Sequence, residues 1–205
     1  MRSLTEILKV DPLDPDIRVV EEIAGVVRAG GVIGYPTETV YGIGCDPFNR
    51  DAVGRIYDIK QRPQSMPLLL LISGRGMLRG LVSEIPPVAE DLMRDFWPGP
   101  LTIVFRSSGR IPSPVSSDRG TVALRDSGLP FISELIGRLG FPLVSTSANL
   151  SGSPPARSAG EVMSLFGGRL DLVVDGGKSP SAEPSTVVDV SDGKVKVLRE
   201  GCIKL

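Results

Sequence analysis

The sequence contains no histidine in 205 residues. A Ser-His-Asp triad, a histidine general base and a histidine-rich metal centre are therefore excluded. Cysteine is scarce: Cys45 and Cys202 lie far apart and form no CxxC pair. That argues against a disulfide framework or a zinc cluster, fits a reducing compartment, and makes a cytoplasmic location the expectation. Aromatic residues are only 5% of the chain and no basic run occurs, so little surface is offered for stacking bases. The formal net charge is −1, which gives no global pull toward nucleic acid or membrane; anion binding would have to come from a local patch. No apolar stretch approaches the roughly 18 residues a membrane helix needs. The opening "MRSLTEILKVDPLDPD" has the character of neither a leader nor an anchor, and no membrane association is expected. Also missing are a GxxxxGK[ST] loop and a GxGxxG opening a helix after a strand, so a bound nucleotide would need other donors for its phosphates.

What is present is an ordinary globular balance, 41% hydrophobic and 23% charged, in a chain long enough for a sizeable core. Helical and strand patterns alternate, which predicts an α/β domain spanning 1–205. Ile17, Val20, Ile23, Ala24 and Val27 make one apolar helical stripe that Gly30-Gly31 would end. Asn49 is placed to cap a helix carrying Ala52, Val53, Ile56 and Ile59 on one face. Ser158 and Glu161 have the spacing of a capping box. "VIGYP", "LLLLI", "LTIVF", "TVALR", "PLVSTS" and "LDLVVD" read as strands, and "IPPVAEDLMRDFW" and "FISELIGRLG" as helices. The final "STVVDVSDGKVKVLRE" reads as a hairpin turning at Asp192-Gly193 in two residues, which makes the sheet mixed. Residues 107–120, rich in Ser, Pro and Gly, read as a flexible loop, and "KSPSAEP" as a second loop.

Five places could carry chemistry. "YPTETVYGIGCD" puts Thr37 and Thr39 at a strand end, where ligand groups collect in α/β sheets; alone it is equally a turn with threonine caps. Lys60 and Arg62 precede Pro63 and the aliphatic run; a point charge beside a planar fork suits a polyphosphate, and a solvated helix end explains the pair as well. "LVSTSANLSG" delivers Ser145, Thr146, Ser147, Asn149 and Ser151 from one apolar strand, a concentration of short donors suited to adenine, ribose or phosphate. Thr121 and Arg125 share a strand face, and an arginine leaving an apolar strand needs a partner: a substrate carboxylate, or Asp126 or Glu134 in a structural pair. Ser185 and Arg199 sit on the two arms of the last hairpin. "WPGPLT" reads as a packing corner, and both cysteines as small core residues.

The order of these elements is more specific than any one of them. "YPTETVYGIGCDP", "IYDIKQRP…PL", "WPGPLT", "TVALR", "STSANLSG" and "STVVDV…LREG" together resemble the YrdC-type threonylcarbamoyl-adenylate synthases, over about Ile17 to Ile203. The resemblance implies a single α/β domain with a twisted mixed sheet around a concave basic groove. It implies a nucleotidyltransferase that joins L-threonine, bicarbonate and ATP, with Mg²⁺ accompanying ATP, into L-threonylcarbamoyl-AMP and diphosphate. Partner proteins would then transfer the threonylcarbamoyl group to tRNA. On the matching positions, Lys60 and Arg62 would meet the ATP phosphates and the reacting carbamate. Thr37, Arg125, Ser145 and Ser185 would bind threonine. Thr121, Ser147, Asn149 and Arg199 would contact ATP.

One departure and three alternatives accompany it, one of them a paralogue with this fold and a degraded site, against which Lys60, Arg62, Ser147 and Asn149 argue. Leu71 stands where some relatives carry a histidine near the threonine, and the chain stops soon after Gly201, like the single-domain form of the family. An RNA-binding or ribosome-maturation module could use the same groove for tRNA or double-stranded RNA without ATP chemistry. A carbamoyl-transfer domain of hydrogenase maturation is related, but such domains lie in longer chains.

Overall fold

A computed structural model describes residues 5–205; residues 1–4, the start of the segment read as neither leader nor anchor, lie outside the described residues. In chain order the elements are β1 (Glu6–Lys9), α1 (Ile17–Arg28), β2 (Ile33–Tyr35), β3 (Gly42–Gly44), α2 (Arg50–Lys60), β4 (Leu69–Ile72), α3 (Gly74–Leu81) and α4 (Pro87–Phe96). There follow β5 (Leu101–Arg106), β6 (Thr121–Asp126), α5 (Pro130–Leu139), β7 (Leu143–Ser147), α6 (Ala159–Phe166), β8 (Leu172–Asp175), β9 (Thr186–Asp189) and β10 (Lys196–Arg199).

The helix ends obey local chemistry. The Asp16 carboxylate accepts from Arg18 N at 2.8 Å to open α1, and Gly30, at φ 86°, turns the chain out of it. Asn49 Oδ1 accepts from Ala52 N at 3.0 Å at the start of α2. Ser158 Oγ accepts from Glu161 N at 3.3 Å, but the reciprocal bond of the expected capping box shifts by one residue: Glu161 accepts from Arg157 N at 2.8 Å.

The strands form one ten-stranded sheet in the order β1-β8-β2-β3-β7-β4-β6-β5-β9-β10. It is mixed, as the sequence predicts: β4 runs parallel to β6, while β7 is antiparallel to both β3 and β4. The final hairpin differs from the expectation. β9 and β10 pair through Asp189 and Lys196, so the connection is longer than a two-residue turn. Val190 stays with β5, its N–H donating to Val104 O at 3.0 Å, and its side chain is buried, which delays the turn.

The sheet separates two cores. One face packs Ala52, Val53 and Ile56 of α2, Leu78 of α3, Met93 of α4 and Val162 of α6 against Leu70, Leu124 and Val144. The other packs Val20, Ile23 and Val27 of α1 and Phe131, Leu135 and Ile136 of α5 against Ile33, Leu71 and Leu143. Four helices cover the first face but only two cover the second. Along that second face, strand residues are apolar beneath α1 and α5, and beyond them Leu69, Val104, Ala123 and Ser145 face an open cleft. Leu71 and Leu143 are paired neighbours in the covered part, and Leu69 and Ser145 are paired neighbours in the open part. The uncovered stretch is the floor of a cleft.

Residues 107–120 are packed rather than a free loop. Ile111 and Val115 are buried in the four-helix core, and the Tyr57 hydroxyl donates to Pro114 O at 3.1 Å. None of these residues lines the cleft. Among the described residues no helix is long and apolar enough to cross a membrane.

Candidate active site

The cleft encloses about 450 Å³, within the range of small-molecule sites. Its floor is built from alternate residues of neighbouring strands: Leu69 of β4, Ala123 of β6, Val104 of β5 and Ser145 of β7. Leu70, Val122, Leu124, Ile103, Phe105 and Val144, their sequence neighbours, point into the four-helix core, as strand geometry requires.

One end of the cleft is the turn between β2 and β3. Thr37 Oγ1 donates to Val40 O at 2.7 Å and accepts from Thr39 N at 3.1 Å, which fixes the turn. Tyr35 lies across β3 from its ring-side neighbours Gly42 and Gly44. A Cβ on Gly44 would approach the Tyr35 ring to 2.9 Å and Val144 O to 2.3 Å, so glycine is what lets the ring lie there. The Tyr35 hydroxyl thereby reaches Ser145 Oγ at 2.7 Å. This is also why "YGIG", which lacks a strand's side chains, is a strand.

Arg125 enters the same end from β6 and is 4% exposed. Its partner is neither Asp126 nor Glu134. The Glu38 carboxylate lies 2.8 Å from Arg125 Nη2, and accepts from Ser127 Oγ at 2.7 Å and Gly128 N at 3.1 Å. Burial pushes the Glu38 carboxyl up, but the Arg125 charge and these hydrogen bonds outweigh it and hold the group below its usual range. Arg125 Nε donates to Gly99 O and Nη1 to Thr39 Oγ1, both at 3.3 Å. Leu71 is the cross-strand neighbour of Arg125 but is buried in the two-helix core, outside the cleft lining.

Lys60 and Arg62 part company, contrary to a shared outlook on one groove. Gln61 between them adopts the left-handed conformation, φ 50° and ψ 43°. Lys60 is 1% exposed and does not line the cleft. Its ammonium donates to Ser147 O, to Asn149 O at 2.8 Å and to Asn149 Oδ1 at 3.1 Å, so all three hydrogens are engaged. Its own carbonyl accepts from Ser151 N at 3.2 Å. Burial, then the Arg62 charge, pushes the Lys60 ammonium down to about 7. Arg62 does line the cleft; Nε donates to Met66 O at 3.1 Å and Nη2 to Pro67 O at 3.0 Å.

Ser147 lines the cleft and donates to Asn149 Oδ1 at 2.6 Å. Asn149 itself is turned toward Lys60 and, through Nδ2, toward Ser153 O at 2.6 Å, outside the lining. Ser185 and Arg199, a weak pair in the sequence, form the opposite wall. Arg199 Nη2 donates to Ser185 O at 2.8 Å, and Ser185 Oγ lies 2.8 Å from Thr102 Oγ1. Thr121, like Lys60 and Asn149, lies outside the cleft lining, and its hydroxyl is 2.6 Å from Ser117 Oγ. Cys45 is buried in the four-helix core as expected, whereas Cys202 is half-buried and belongs to neither core; burial pushes both thiols up.

The lining carries three arginines, Arg62, Arg125 and Arg199, and no Asp or Glu. Burial first, and then the charges of Arg125 and Arg62, push the Arg199 guanidinium down; Arg125 is balanced by Glu38, and Arg62 and Arg199 have no carboxylate within salt-bridge reach among the described residues. Such a cavity attracts an anion. Thr39, singled out with Thr37 in the sequence, lines the cleft, and Glu38 and Thr102, which were not, complete the site. The one carboxylate in "PTET", beside a strand that ends in arginine, was the available signal for Glu38.

A family model described as Telomere recombination, covering Sua5, YciO and YrdC, matches residues 25–201. A threonylcarbamoyl-AMP synthase of Stutzerimonas stutzeri is 40% identical over 176 residues, 86% of this chain and 95% of that protein. One from Pyrococcus abyssi is 38% identical over 182 residues, 89% of this chain, but the chain spans only 54% of that relative's length. The crystal structure of P. abyssi Sua5 complexed with L-threonine superposes with a TM-score of 0.91 at 36% identity, covering 96% of this chain and 58% of that one. The chain belongs to the Sua5/YciO/YrdC family.

Proposed function

We propose that this protein is a threonylcarbamoyl-AMP synthase, a nucleotidyltransferase that makes L-threonylcarbamoyl-AMP and diphosphate from L-threonine, bicarbonate and ATP. The observation that carries the reading is the acid-free cleft with three arginines, in a chain closely superposable on the threonine complex of Sua5. A cavity of about 450 Å³ suits small reactants better than an RNA strand.

The chemistry needs no protein nucleophile. The threonine amine attacks bicarbonate and water leaves, giving N-carboxythreonine. Its new carboxylate oxygen attacks the α-phosphorus of ATP, and the bond to diphosphate breaks. Negative charge on the phosphate oxygens is stabilised by oriented cations, the largest task in such transfers. Arg62 and Arg199 line the cavity for that task. With no acidic residue in the lining, Mg²⁺ would enter on the ATP phosphates as part of that substrate. Thr37, Arg125, Ser145 and Ser185 would hold threonine, with Arg125 toward its carboxylate. Ser147 would face the nucleotide. Lys60 and Asn149 would act from behind, Lys60 by fixing the end of β7 at Ser147 and the turn that follows it. Thr121 would reach ATP only from outside the present lining. The product would pass to proteins that transfer the threonylcarbamoyl group to tRNA.

Incubation with ATP, L-threonine and bicarbonate, followed by mass detection of the acyl-adenylate, tests the reading. The adduct is expected only when threonine is supplied. ATP consumption without that adduct, or its absence altogether, would sink the assignment. A steep salt-dependent affinity for RNA, unaffected by threonine, would point to the binding module instead.

A further inference from the structure

Glu38 stands outside the cleft yet controls the cation at its end. Both carboxylate oxygens are engaged with the segment after β6: one accepts from Gly128 N, the other from Ser127 Oγ. The carboxylate also sits 2.8 Å from Arg125 Nη2. That contact is an ion pair without hydrogen-bond alignment, since Nη2 is buried and has no hydrogen-bond partner. The other two guanidinium nitrogens are committed to Gly99 O and Thr39 Oγ1. Arg125 is therefore held in place and charge-balanced from behind through Nη2, while Nη1 keeps a second hydrogen beyond the one given to Thr39. Arg62 and Arg199 line the same cavity with no carboxylate within salt-bridge reach.

We propose that Glu38 is a positioning and specificity-determining residue: it aims Arg125 and, by balancing its charge, reserves that end of the cleft for a singly charged carboxylate while polyphosphate is drawn to Arg62 and Arg199. This rests on the reading that threonine and ATP share the cleft. The physical reason is that a dianionic or trianionic phosphate needs net positive charge to replace its hydration, and an Arg–Glu pair supplies almost none. A carboxylate needs only directed donors, and the cleft-lining Arg125, fixed by Glu38 and with an Nη1 hydrogen to spare, offers one.

Glu38→Gln keeps the shape and removes the charge. The expected result is a threonine KM raised about tenfold, with kcat and the ATP KM within about threefold, because positioning for ground-state binding is what is lost. The sharper readout is inhibition by inorganic diphosphate. In the wild type it should compete with ATP and not with threonine; in Glu38→Gln it should also compete with threonine. A merely structural role for Glu38 would not change that pattern. An unchanged threonine KM, or diphosphate that still ignores threonine, overturns the inference. Should Glu38→Gln fail to fold, Ser127→Ala removes one donor to the carboxylate and should raise the threonine KM by about threefold; no rise there overturns it equally. Failure of the functional reading shows separately, as a wild-type protein that forms no threonine-dependent adenylate.

Discussion

Lys60 and Arg125 are both almost wholly enclosed, 1% and 4% exposed, yet they are solvated in opposite ways. Arg125 is balanced by the Glu38 carboxylate. Lys60 has no carboxylate partner and is surrounded by neutral oxygens of Ser147 and Asn149. A carboxylate neutralises a charge and leaves donors free, whereas neutral oxygens use up the donors and leave the charge. Under the proposed function, one arrangement yields a ligand hook. The other yields a clasp on a loop, at the expense of an ammonium group pushed down to about 7.

The contrast breaks first at Arg125. Arg125→Ala leaves Glu38 half-buried without its counter-charge, and unfolding free energy should fall by about 3 kcal/mol, with threonine binding abolished. Urea denaturation and threonine titration check both. Lys60→Met removes a charge without stranding another, so its stability loss should be smaller, about 2 kcal/mol for unpaired neutral acceptors. Turnover should nonetheless fall by about 10²-fold because Ser147 is no longer held in register. A larger stability loss for Lys60→Met than for Arg125→Ala would show that the two sites are not solvated as described.

The pH dependence should separate them further. In the unfolded chain Lys60 keeps its proton to about 10.5, and in the fold it loses it near 7. The unfolded state thus binds more protons between those values, and this group's contribution makes stability rise with pH there, by at most about 1.4 kcal/mol per pH unit. Lys60→Met should flatten that rise in denaturation midpoints. Glu38 acts at the acid end: its carboxyl is held below the usual range, so its stabilisation is present above that range and is lost as pH falls through it. The smallest effect is expected at Gln61. Gln61→Gly relieves a left-handed non-glycine residue and should leave stability unchanged or raise it by up to about 1 kcal/mol.

The sequence made most of the frame legible because periodicity records which face is buried. The stripes of α1, α2 and α5 and the apolar cores of β4 to β8 follow from it. Three elements hid for local reasons. β3 has glycine where strands show side chains, because Tyr35 fills that space. α3 is "GRGMLRGL", helical through buried Leu78 and Leu81 despite its glycines. β1 is an edge strand with little buried surface. The site residues were legible as types and positions, and their directions were not. Whether Lys60 faces the cleft or the loop depends on one left-handed residue. Glu38 gains its meaning from Ser127 and Gly128, 89 and 90 positions away.

The uncovered half-face of the sheet has one more consequence. Leu69, Ala123, Ser145 and Val104 touch the ligand space, and Ala123 and Val104 are flanked in sequence on both sides by residues of the four-helix core that do not line the cleft. The floor is thus a mosaic of independently replaceable tiles on a fixed backing. A change of one tile, such as Ala123 to a larger residue, would redraw the ligand's outline without disturbing the packing beneath, and this fold could be retuned to other acids one side chain at a time.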